Sequence, residues 1–372
     1  MRHQRWQLPS DDRAALPGPP GGPPASWRAR ALSRFSSRVL RPVISHLPGG
    51  YAGVRLTRRL VAGYLALLGP ELAGSQVRQV REQAPGGLTV RGEWVRGPGV
   101  RRSDAVVLYL HGSGYAICSA RTHRGLTSRL SGMTGLPVFA CDYRLAPHHR
   151  FPAAADDVRA AYDWLVGRGW DPARIVLAGD SAGGHLAVDL ALELSRTEAI
   201  IPSAIVLLSP LADLTFGLAG ERDLLRADPM VSPQRARRLL DLYTGGADAT
   251  HPRLALDFRG ARALPPTLIQ AGAAEMLAAD AEYLAERLRD ADTRCELEIW
   301  PDQMHVFQAA PVLIPEAEVA LGRAAAFIRA ELVRAELSRP GLGRTGLVKT
   351  ELDTTELDST ERRVEESMEA TG

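Results

Sequence analysis

A serine flanked by glycines stands between a short apolar run and a stretch of helix-forming residues. Residues 174–184 read Arg-Ile-Val-Leu-Ala-Gly-Asp-Ser-Ala-Gly-Gly, which places Ser181 at the turn. A G-x-S-x-G turn between a strand and a helix holds a serine hydroxyl above the sheet, where it can act as a nucleophile. The turn is tight, so Gly179 and Gly183 are needed beside Ser181, and Asp180 is a supporting residue. The pattern predicts nucleophilic catalysis by Ser181, with an ordinary Gly/Ser loop as the alternative.

A second glycine-rich turn lies seventy residues upstream, directly after the apolar run 106–110. Its small residues let backbone N–H groups approach a developing oxyanion, and one such donor is worth roughly 2.7–4 kcal/mol in the transition state. We therefore predict an oxyanion hole in which Ala182 of the first turn takes part and His111 has a supporting role. The residues predicted to form the hole are Gly112, Ser113, Gly114 and Ala182.

A serine nucleophile also needs a base and an acid that orients the base. In this strand–turn–helix setting they follow the serine in the order acid, then histidine. Glu275 follows the apolar run 266–270, and His305 comes thirty residues later, after the run 295–300. Each lies on a loop after a strand, at the same end of the sheet as Ser181. Asp280 and Asp302 are rival orienting acids, and an acid such as Glu275 also favours a helix N-terminus for electrostatic reasons.

The elements that must position these residues alternate between strand and helix patterns. The predicted strands are 105–110, 137–140, 174–178, 204–208, 266–270 and 295–300, and the predicted helices include 153–167, 182–196, 280–290 and 316–337. Such alternation is typical of an α/β fold with a mostly parallel sheet and helices on both faces. Residues 26–72 and 211–246 do not fit the alternation, and we interpret them as helices that form a lid within a single domain, 26–338.

Both ends of the chain have compositions that disfavour a packed structure. Pro17 to Pro24 is an unbroken run of prolines and glycines, which can form neither a helix nor a strand ladder. Residues 339–372 hold five basic and eight acidic residues without an apolar face. We predict disorder for residues 1–25 and for the acidic tail 339–372.

The composition excludes several classes of protein. The 372 residues carry 45 basic and 43 acidic side chains, so a net charge of +2 gives no global attraction for nucleic acid. Three scattered cysteines suit neither a disulfide framework nor a zinc site, and we expect no metal and no cofactor. The sequence shows no apolar run of membrane-spanning length and no signal-peptide pattern, which predicts a cytoplasmic location.

Several motifs together resemble those of a known protein family. His111-Gly-Ser-Gly-Tyr115, Asp142-Tyr-Arg-Leu-Ala-Pro147, Phe151-Pro-Ala153 and Gly179-Asp-Ser-Ala-Gly-Gly184 resemble, in order and spacing, the hormone-sensitive-lipase family of α/β-hydrolases. The resemblance implies an α/β-hydrolase fold with an eight-stranded sheet, a helical cap and serine carboxylesterase activity. Glu275 falls where the family places its acid, more often Asp, and His305 falls on its histidine. Ser113 stands where the family usually has glycine, which bears on rate and on the shape of the acyl pocket.

An apolar ridge of four-residue spacing runs along the N-terminal segment. It comprises Trp27, Ala31, Phe35, Val39 and Val43, with five arginines spread over the other faces. A basic amphipathic helix of this kind can lie on an anionic membrane. It can equally be a cap helix whose ridge packs on the core. We favour the cap, because the resembling family uses its N-terminal region in that way.

These observations predict a serine carboxylesterase that acts on short- to medium-chain acyl esters through an acyl-enzyme intermediate. The base must be neutral, so activity should rise with pH through about 6.5–7. An acetyl-hydrolase or lactone hydrolase of a secondary metabolite, with the same catalytic groups, is the enzymatic alternative. A non-catalytic ligand-binding homologue is disfavoured because the serine, acid and histidine are all present. A small acyl ester is the expected partner, no nucleic acid is expected, and the oligomeric state, a homodimer included, stays open.

Overall fold

A single sheet organises the chain in its computed structural model, which describes residues 24–46, 50–112, 114–197 and 200–338. The strands in these residues are β1 Gln76–Gln83, β2 Thr89–Arg96, β3 Val106–Leu110, β4 Val138–Cys141, β5 Ile175–Asp180, β6 Ala204–Leu208, β7 Thr267–Gly272 and β8 Cys295–Trp300. The sheet order is β1-β2-β4-β3-β5-β6-β7-β8. β2 runs antiparallel to both of its neighbours, and the strands from β4 to β8 in this order are parallel. The predicted α/β-hydrolase fold with a mostly parallel, eight-stranded sheet is confirmed.

The six predicted strands agree with β3 to β8 within two residues at either end. The residue pattern alone did not single out β1 and β2, which form an antiparallel hairpin at one edge of the sheet. β1 reads Gln-Val-Arg-Gln-Val-Arg-Glu-Gln, and within it only Val80 is buried. An edge strand with one face in water lacks the continuous apolar run of a central parallel strand, so its signal is weaker.

The helices in the described residues pack on both faces of the sheet. They are α1 Trp27–Phe35, α2 Arg41–His46, α3 Gly50–Leu68, α4 Arg124–Thr134, α5 Ala153–Gly167, α6 Ala182–Thr197, α7 Gly217–Leu225, α8 Pro233–Thr244, α9 Ala278–Asp290 and α10 Pro315–Leu337, with short 3₁₀ turns at Ala120–His123, Pro172–Arg174 and Phe307–Ala309. Successive residues of β3 belong to different cores, as strand geometry requires. Leu108 packs in the core with α5, α6 and α9, whereas Val107 packs in the core with α4 and α10.

The parallel strands end at one edge of the sheet, and the loops at that edge carry the candidate catalytic residues. Leu110 lies opposite Gly179, and Asp180 lies opposite Leu208. Across the next pairs, Leu208 lies opposite Gln270, and Gly272 lies opposite Trp300. Loops that follow the carboxyl ends of parallel strands in open α/β sheets form ligand crevices.

The N-terminal segment packs through a different face from the one that we favoured. α1 and α2 are joined by a π-helical turn, Ser36–Leu40. Ala29 and Ser36 are buried, whereas Trp27, Phe35 and Val43 point into solvent. The prediction that the apolar ridge packs on the core is therefore wrong. Small side chains let the helix approach the core closely, which leaves the bulky ridge on the outside.

Five of the helices lie in the two stretches interpreted as a lid. α1 to α3 occupy residues 27–68, and α7 and α8 occupy residues 217–244. The division into one domain with a cap stays a prediction. The residues up to Val333 form one compact unit. The second unit begins at Arg334, and the structure describes only its residues 334–338, which are the last four residues of α10 and the residue after it. Most of the N-terminal segment and the whole acidic tail predicted to be disordered, together with Ser113, lie outside the described residues. Among the helices that the structure describes, none is long and apolar enough to cross a bilayer.

Candidate active site

Ser181 lies at a strained turn between β5 and α6. Its φ of +51° is in the left-handed region, which non-glycine residues rarely adopt. The Ser181 N–H donates to the Leu208 carbonyl at 3.0 Å, and the Leu211 N–H donates to the Ser181 carbonyl at the same distance. These bonds to the neighbouring strand end hold the strained backbone, as expected of a nucleophile turn.

The glycines around Ser181 are required by close approaches of backbone. A Cβ on Gly179 would lie 2.5 Å from the Gly183 carbonyl oxygen, and one on Gly183 would overlap the Leu110 carbonyl oxygen. Each overlap is with backbone, which cannot move aside as the end of a flexible side chain can. The predicted supporting role of both glycines therefore has a steric basis.

One backbone N–H group in each of the two turns, that of Gly114 and that of Ala182, has no hydrogen-bond acceptor among the described residues. Gly114 adopts a φ of +59°. Unpaired donors in a preformed backbone are what a developing oxyanion requires. The Gly112 N–H donates to the Asp180 carboxylate at 3.0 Å. The prediction that Gly112 donates directly to the oxyanion is therefore wrong. Ser113, the remaining predicted donor, lies outside the described residues.

The Asp180 carboxylate joins the two turns. Besides the Gly112 N–H, it accepts the Tyr109 hydroxyl at 2.7 Å and faces His123 Nε2 at 3.3 Å. Burial raises the pKa of Asp180, but the charge of His123 and the hydrogen bonds from His123 and Tyr109 outweigh burial, so this pKa is lowered. Asp180 thus stays ionised and fixes the backbone of the glycine-rich turn.

His111 holds the same turn from its other side. Its Nδ1 lies 3.0 Å from the Gly112 carbonyl, and its ring stacks on Tyr143 at a centroid distance of 4.3 Å. Burial is the main cause that lowers the pKa of His111 to about 3, so the ring is neutral. A neutral ring can donate from Nδ1 to the carbonyl, which fits a positioning role.

His305 and Glu275 form the central contact of the site. The His305 Nδ1 lies 2.5 Å from Glu275 Oε2, and Glu275 is fully buried. The loops that carry them are joined by backbone hydrogen bonds from Ala273 to Trp300 at 2.8 Å and from Ala274 to Gln303 at 3.0 Å. The two side chains predicted as acid and base are thus brought together by adjacent loops.

The rival acids lie elsewhere. Asp280 Oδ1 accepts the N–H groups of Ala212 and Asp213, both at 2.8 Å. Asp302 forms an ion pair with Arg226 at 2.8 Å. Of the three carboxylates, Glu275 is the one that contacts the His305 ring, whereas Asp280 anchors the start of the segment that leads into α7.

Ser209 is a residue of this site that sequence reasoning missed. It follows β6, is fully buried and has a φ of +49°. Its hydroxyl donates to Glu275 Oε1 at 2.7 Å and accepts the Val306 N–H at 3.0 Å. Ser209 therefore links Glu275 to Val306, the residue after His305. The available signal was a polar residue directly after a buried strand, at the edge where the other loops begin.

Asp228, in the loop between α7 and α8, was also missed. Its buried carboxylate accepts the Met276 N–H at 2.9 Å, next to Glu275, and the N–H groups of Met230 and Val231. Arg41 donates to the Asp228 carbonyl and pairs with Asp223 at 3.1 Å. The sequence offers no local signal for these contacts, which join segments far apart in the chain.

The electrostatic surroundings favour a charged His305. Burial opposes the charge, but the carboxylates of Glu275, Asp228 and Asp180 together outweigh it and raise the pKa of His305. Among the described residues, no hydrogen bond joins the Ser181 hydroxyl to the His305 ring. Catalytic hydrogen bonds are often long in a free enzyme and tighten when substrate binds.

Within the described chain, no cluster of three or more His, Cys, Asp or Glu side chains could hold a metal ion.

Comparison with known proteins agrees with this fold. A family model described as the alpha/beta hydrolase fold matches residues 107–309. A solved esterase of the bacterial hormone-sensitive-lipase family is 34% identical, with a TM-score of 0.73 over 82% of this chain and 99% of that one. The sheet order, the serine turn and the acid–histidine pair define an α/β-hydrolase. The chain belongs to the bacterial hormone-sensitive-lipase family of these proteins.

Curated relatives give a consistent picture. The carboxylesterase/phospholipase LipF of Mycobacterium tuberculosis is 40% identical over 248 residues, which are 63% of this chain and 65% of LipF. An acetyl-hydrolase of Streptomyces hygroscopicus is 38% identical over 237 residues, which are 64% of this chain and 79% of the relative. The chain thus matches somewhat less than two thirds of the length of LipF.

Proposed function

We propose that the protein is a serine carboxylesterase that hydrolyses short- to medium-chain acyl esters. The observation that carries the proposal is the contact of His305 with the buried Glu275, at 2.5 Å, at the same sheet edge as the strained Ser181. The N–H groups of Gly114 and Ala182, which have no acceptor in the described part of the chain, supply the donors that an oxyanion requires.

In the acylation step, His305 Nε2 takes the Ser181 proton while the serine oxygen bonds to the ester carbonyl carbon. The carbonyl oxygen becomes an oxyanion, which the N–H groups of Ser113, Gly114 and Ala182 stabilise. When the C–O bond to the alcohol breaks, the imidazolium returns its proton to the leaving oxygen. The products of this step are the free alcohol and an acyl-serine.

In deacylation, His305 removes a proton from water, and the water oxygen attacks the acyl carbon through the same oxyanion. The proton then passes from His305 to Ser181 as the acid leaves. Glu275 accepts the Nδ1–H throughout, so the lone pair of His305 stays on Nε2. Asp228 and Asp180 add negative charge that favours the imidazolium formed in both steps.

The names of the relatives support a small acyl group. Besides the carboxylesterase and acetyl-hydrolase named above, an ethyl acetate hydrolase of Pseudomonas putida is 33% identical over 235 residues. The acetyl-hydrolase relative favours the second candidate function, a dedicated acetyl-hydrolase or lactone hydrolase of a secondary metabolite. The two candidates share the catalytic groups and differ in the ester that the cap admits.

The proposal includes a cap, a location and an assembly. We propose that α1 to α3 and α7 to α8 form the cap, which is supported by the Ser36 Oγ contact with Met304 Sδ at 3.7 Å and by the Asp228–Met276 bond. We also propose a cytoplasmic location and a homodimer, testable by light scattering of the purified chain. We propose as well that the N-terminal helix contacts a membrane surface.

The test is turnover of p-nitrophenyl esters from acetate to palmitate by the purified chain. Ser181→Ala should abolish turnover. Ser195→Ala is the matched control, because Ser195 is a buried serine of α6 whose hydroxyl donates to the Leu192 carbonyl at 3.0 Å. Turnover that peaks at short or medium chains supports the carboxylesterase, and turnover of acetate alone supports the acetyl-hydrolase. No turnover by a folded chain contradicts the general carboxylesterase and leaves a narrow acetyl-hydrolase or lactone hydrolase, or a ligand-binding homologue.

A further inference from the structure

We use the name N-terminal helix for α1, the π-helical turn and α2 together. Its outward face is a row of large apolar side chains. Trp27 is 68% exposed, and Phe35, Val39 and Val43 are 50%, 42% and 50% exposed. Together with the exposed Ala31, they recur at four-residue steps from α1 through the π-helical turn into α2. The inward face, which includes Ala29, already packs on the core with Trp300 and Phe307. The described part of the chain provides no cover for the outward row.

Arginines flank this row, and acidic residues are absent from it. Residues 24–70 contain eight arginines and no aspartate or glutamate. Arg28, Arg30, Arg34 and Arg38 of the helix are exposed. Within the described residues, Arg34 and Arg38 form no ion pair. An exposed apolar stripe between arginines is the arrangement by which interfacial helices bind anionic bilayers.

A second element beside the N-terminal helix also exposes large apolar side chains. Leu224 and Leu225, at the end of α7, are 88% and 73% exposed. The preceding residue, Asp223, pairs with Arg41 of the N-terminal helix at 3.1 Å, which holds the end of α7 beside the helix. We call Trp27, Phe35, Val39, Val43, Leu224 and Leu225 the docking surface.

We propose that the docking surface binds an anionic lipid bilayer, with Arg34 and Arg38 among the headgroups and the apolar side chains at the acyl boundary. A nucleic acid would satisfy the arginines but would leave the apolar row in water. A second copy in a two-fold dimer would bring the same unpaired arginines face to face, because such an interface is self-complementary. A bilayer with anionic lipids satisfies both kinds of side chain.

The location of the surface connects it to the proposed esterase. Ser36, on the buried side of the same helix, contacts Met304, the residue before His305. The loop after α7 carries Asp228, which bonds to the residue after Glu275. If the esterase function holds, docking brings the site to the surface that contains acyl esters. The docking itself does not depend on catalysis, so Ser181→Ala should bind vesicles as the wild type does.

The experiment is co-sedimentation of the full chain with vesicles of phosphatidylcholine alone or mixed with phosphatidylglycerol. We expect binding to the anionic vesicles, weakened by salt, and little binding to the neutral ones. The double variant Arg34→Gln/Arg38→Gln should weaken anionic binding by roughly tenfold or more. Phe35→Gln/Val39→Gln should weaken it similarly. Val333→Gln is the control, since Val333 is 53% exposed on α10; it should bind normally.

Folding of each variant is checked by circular dichroism and by its thermal midpoint. Three results would overturn the proposal: folded wild type that binds neither kind of vesicle, equal binding to both kinds, or unchanged binding by the Phe35→Gln/Val39→Gln variant. A concentration-dependent dimer that this variant dissociates, without vesicle binding by the wild type, would assign the surface to a second copy instead. Failure of p-nitrophenyl ester turnover would count against the esterase and not against docking.

Discussion

Ser209→Ala tests whether the acid and the base are held as a unit by a residue outside the predicted catalytic set. The substitution removes a hydroxyl that donates to Glu275 and accepts from the Val306 backbone. The backbone at φ +49° is equally strained for serine and alanine, so the comparison isolates the hydroxyl.

The magnitude follows from the two lost bonds. A hydrogen bond to a charged group contributes about 1.5–3 kcal/mol, and an N–H left without a partner costs about 1–3 kcal/mol if buried. Val306 keeps some access to water, so we expect a loss of about 2–4 kcal/mol in the free energy of unfolding. Tm should fall by roughly 4–16 °C. Glu275 keeps its bonds to Gly272 and His305, so kcat/KM should fall by about 10- to 100-fold, less than the roughly 10⁴-fold expected for loss of the acid's charge.

The assay is steady-state hydrolysis of p-nitrophenyl butyrate, with thermal unfolding followed in parallel. Ser203→Ala is the control, because Ser203 precedes the other end of β6 and donates one bond to the Ile175 carbonyl at 3.1 Å. It should lose about 1 kcal/mol of stability and keep its kcat/KM. The reasoning is refuted if Ser209→Ala retains kcat/KM within about twofold, or if Ser203→Ala loses as much activity.

Three further predictions follow from the site and its surroundings. Because His305 must be neutral and its pKa is raised, kcat/KM should rise with pH around a midpoint above 6.5. Asp228→Asn should move the midpoint of this pH–rate profile to lower pH, and a shift to higher pH would contradict the role of Asp228. Gly183→Ala should lower Tm by roughly 10 °C and activity by more than about 100-fold. Gly184→Ala should be milder, because its Cβ would lie 3.0–3.2 Å from Pro210 and 3.6 Å from the Gly179 carbonyl oxygen; equal effects would refute the steric argument. Burial raises the pKa of Asp280 to about 8 from 3.8, so the native chain binds more protons than the unfolded chain between these values and loses stability as pH rises. Asp280→Asn should therefore reduce the fall in Tm between about pH 5 and pH 8 by roughly 5 °C, measured by calorimetry, and an unchanged pH dependence would exclude that role.

The elements nearest to the chemistry were predictable because their signals are local. The tight serine turn needs glycines at fixed offsets, and the buried parallel strands need continuous apolar runs. α5 has the predicted bounds, Ala153–Gly167. β1 and β2 were not predictable in the same way, since an edge hairpin alternates polar and apolar residues weakly.

The N-terminal helix shows where periodicity is insufficient. The four-residue ridge identified an amphipathic helix but not the side that faces the core. Ala29 and Ser36 face inward because their small side chains permit a close approach, and a hydrophobic pattern does not register small or polar residues of this kind.

The sequence by itself determined the fold class and the tight turn at Ser181, because both depend on short-range backbone geometry and on apolar runs. Tertiary structure alone decided which carboxylate meets His305, which N–H groups stay unpaired and what holds the acid in place. Glu275 and Asp280 are five residues apart and chemically alike, and they differ because one reaches the base while the other is captured by the backbone of Ala212 and Asp213. The same holds for Gly112, whose N–H is taken by a carboxylate sixty-eight residues away. Hydrogen bonds between distant segments are directional and leave no periodic trace in the chain, so only the folded arrangement specifies them.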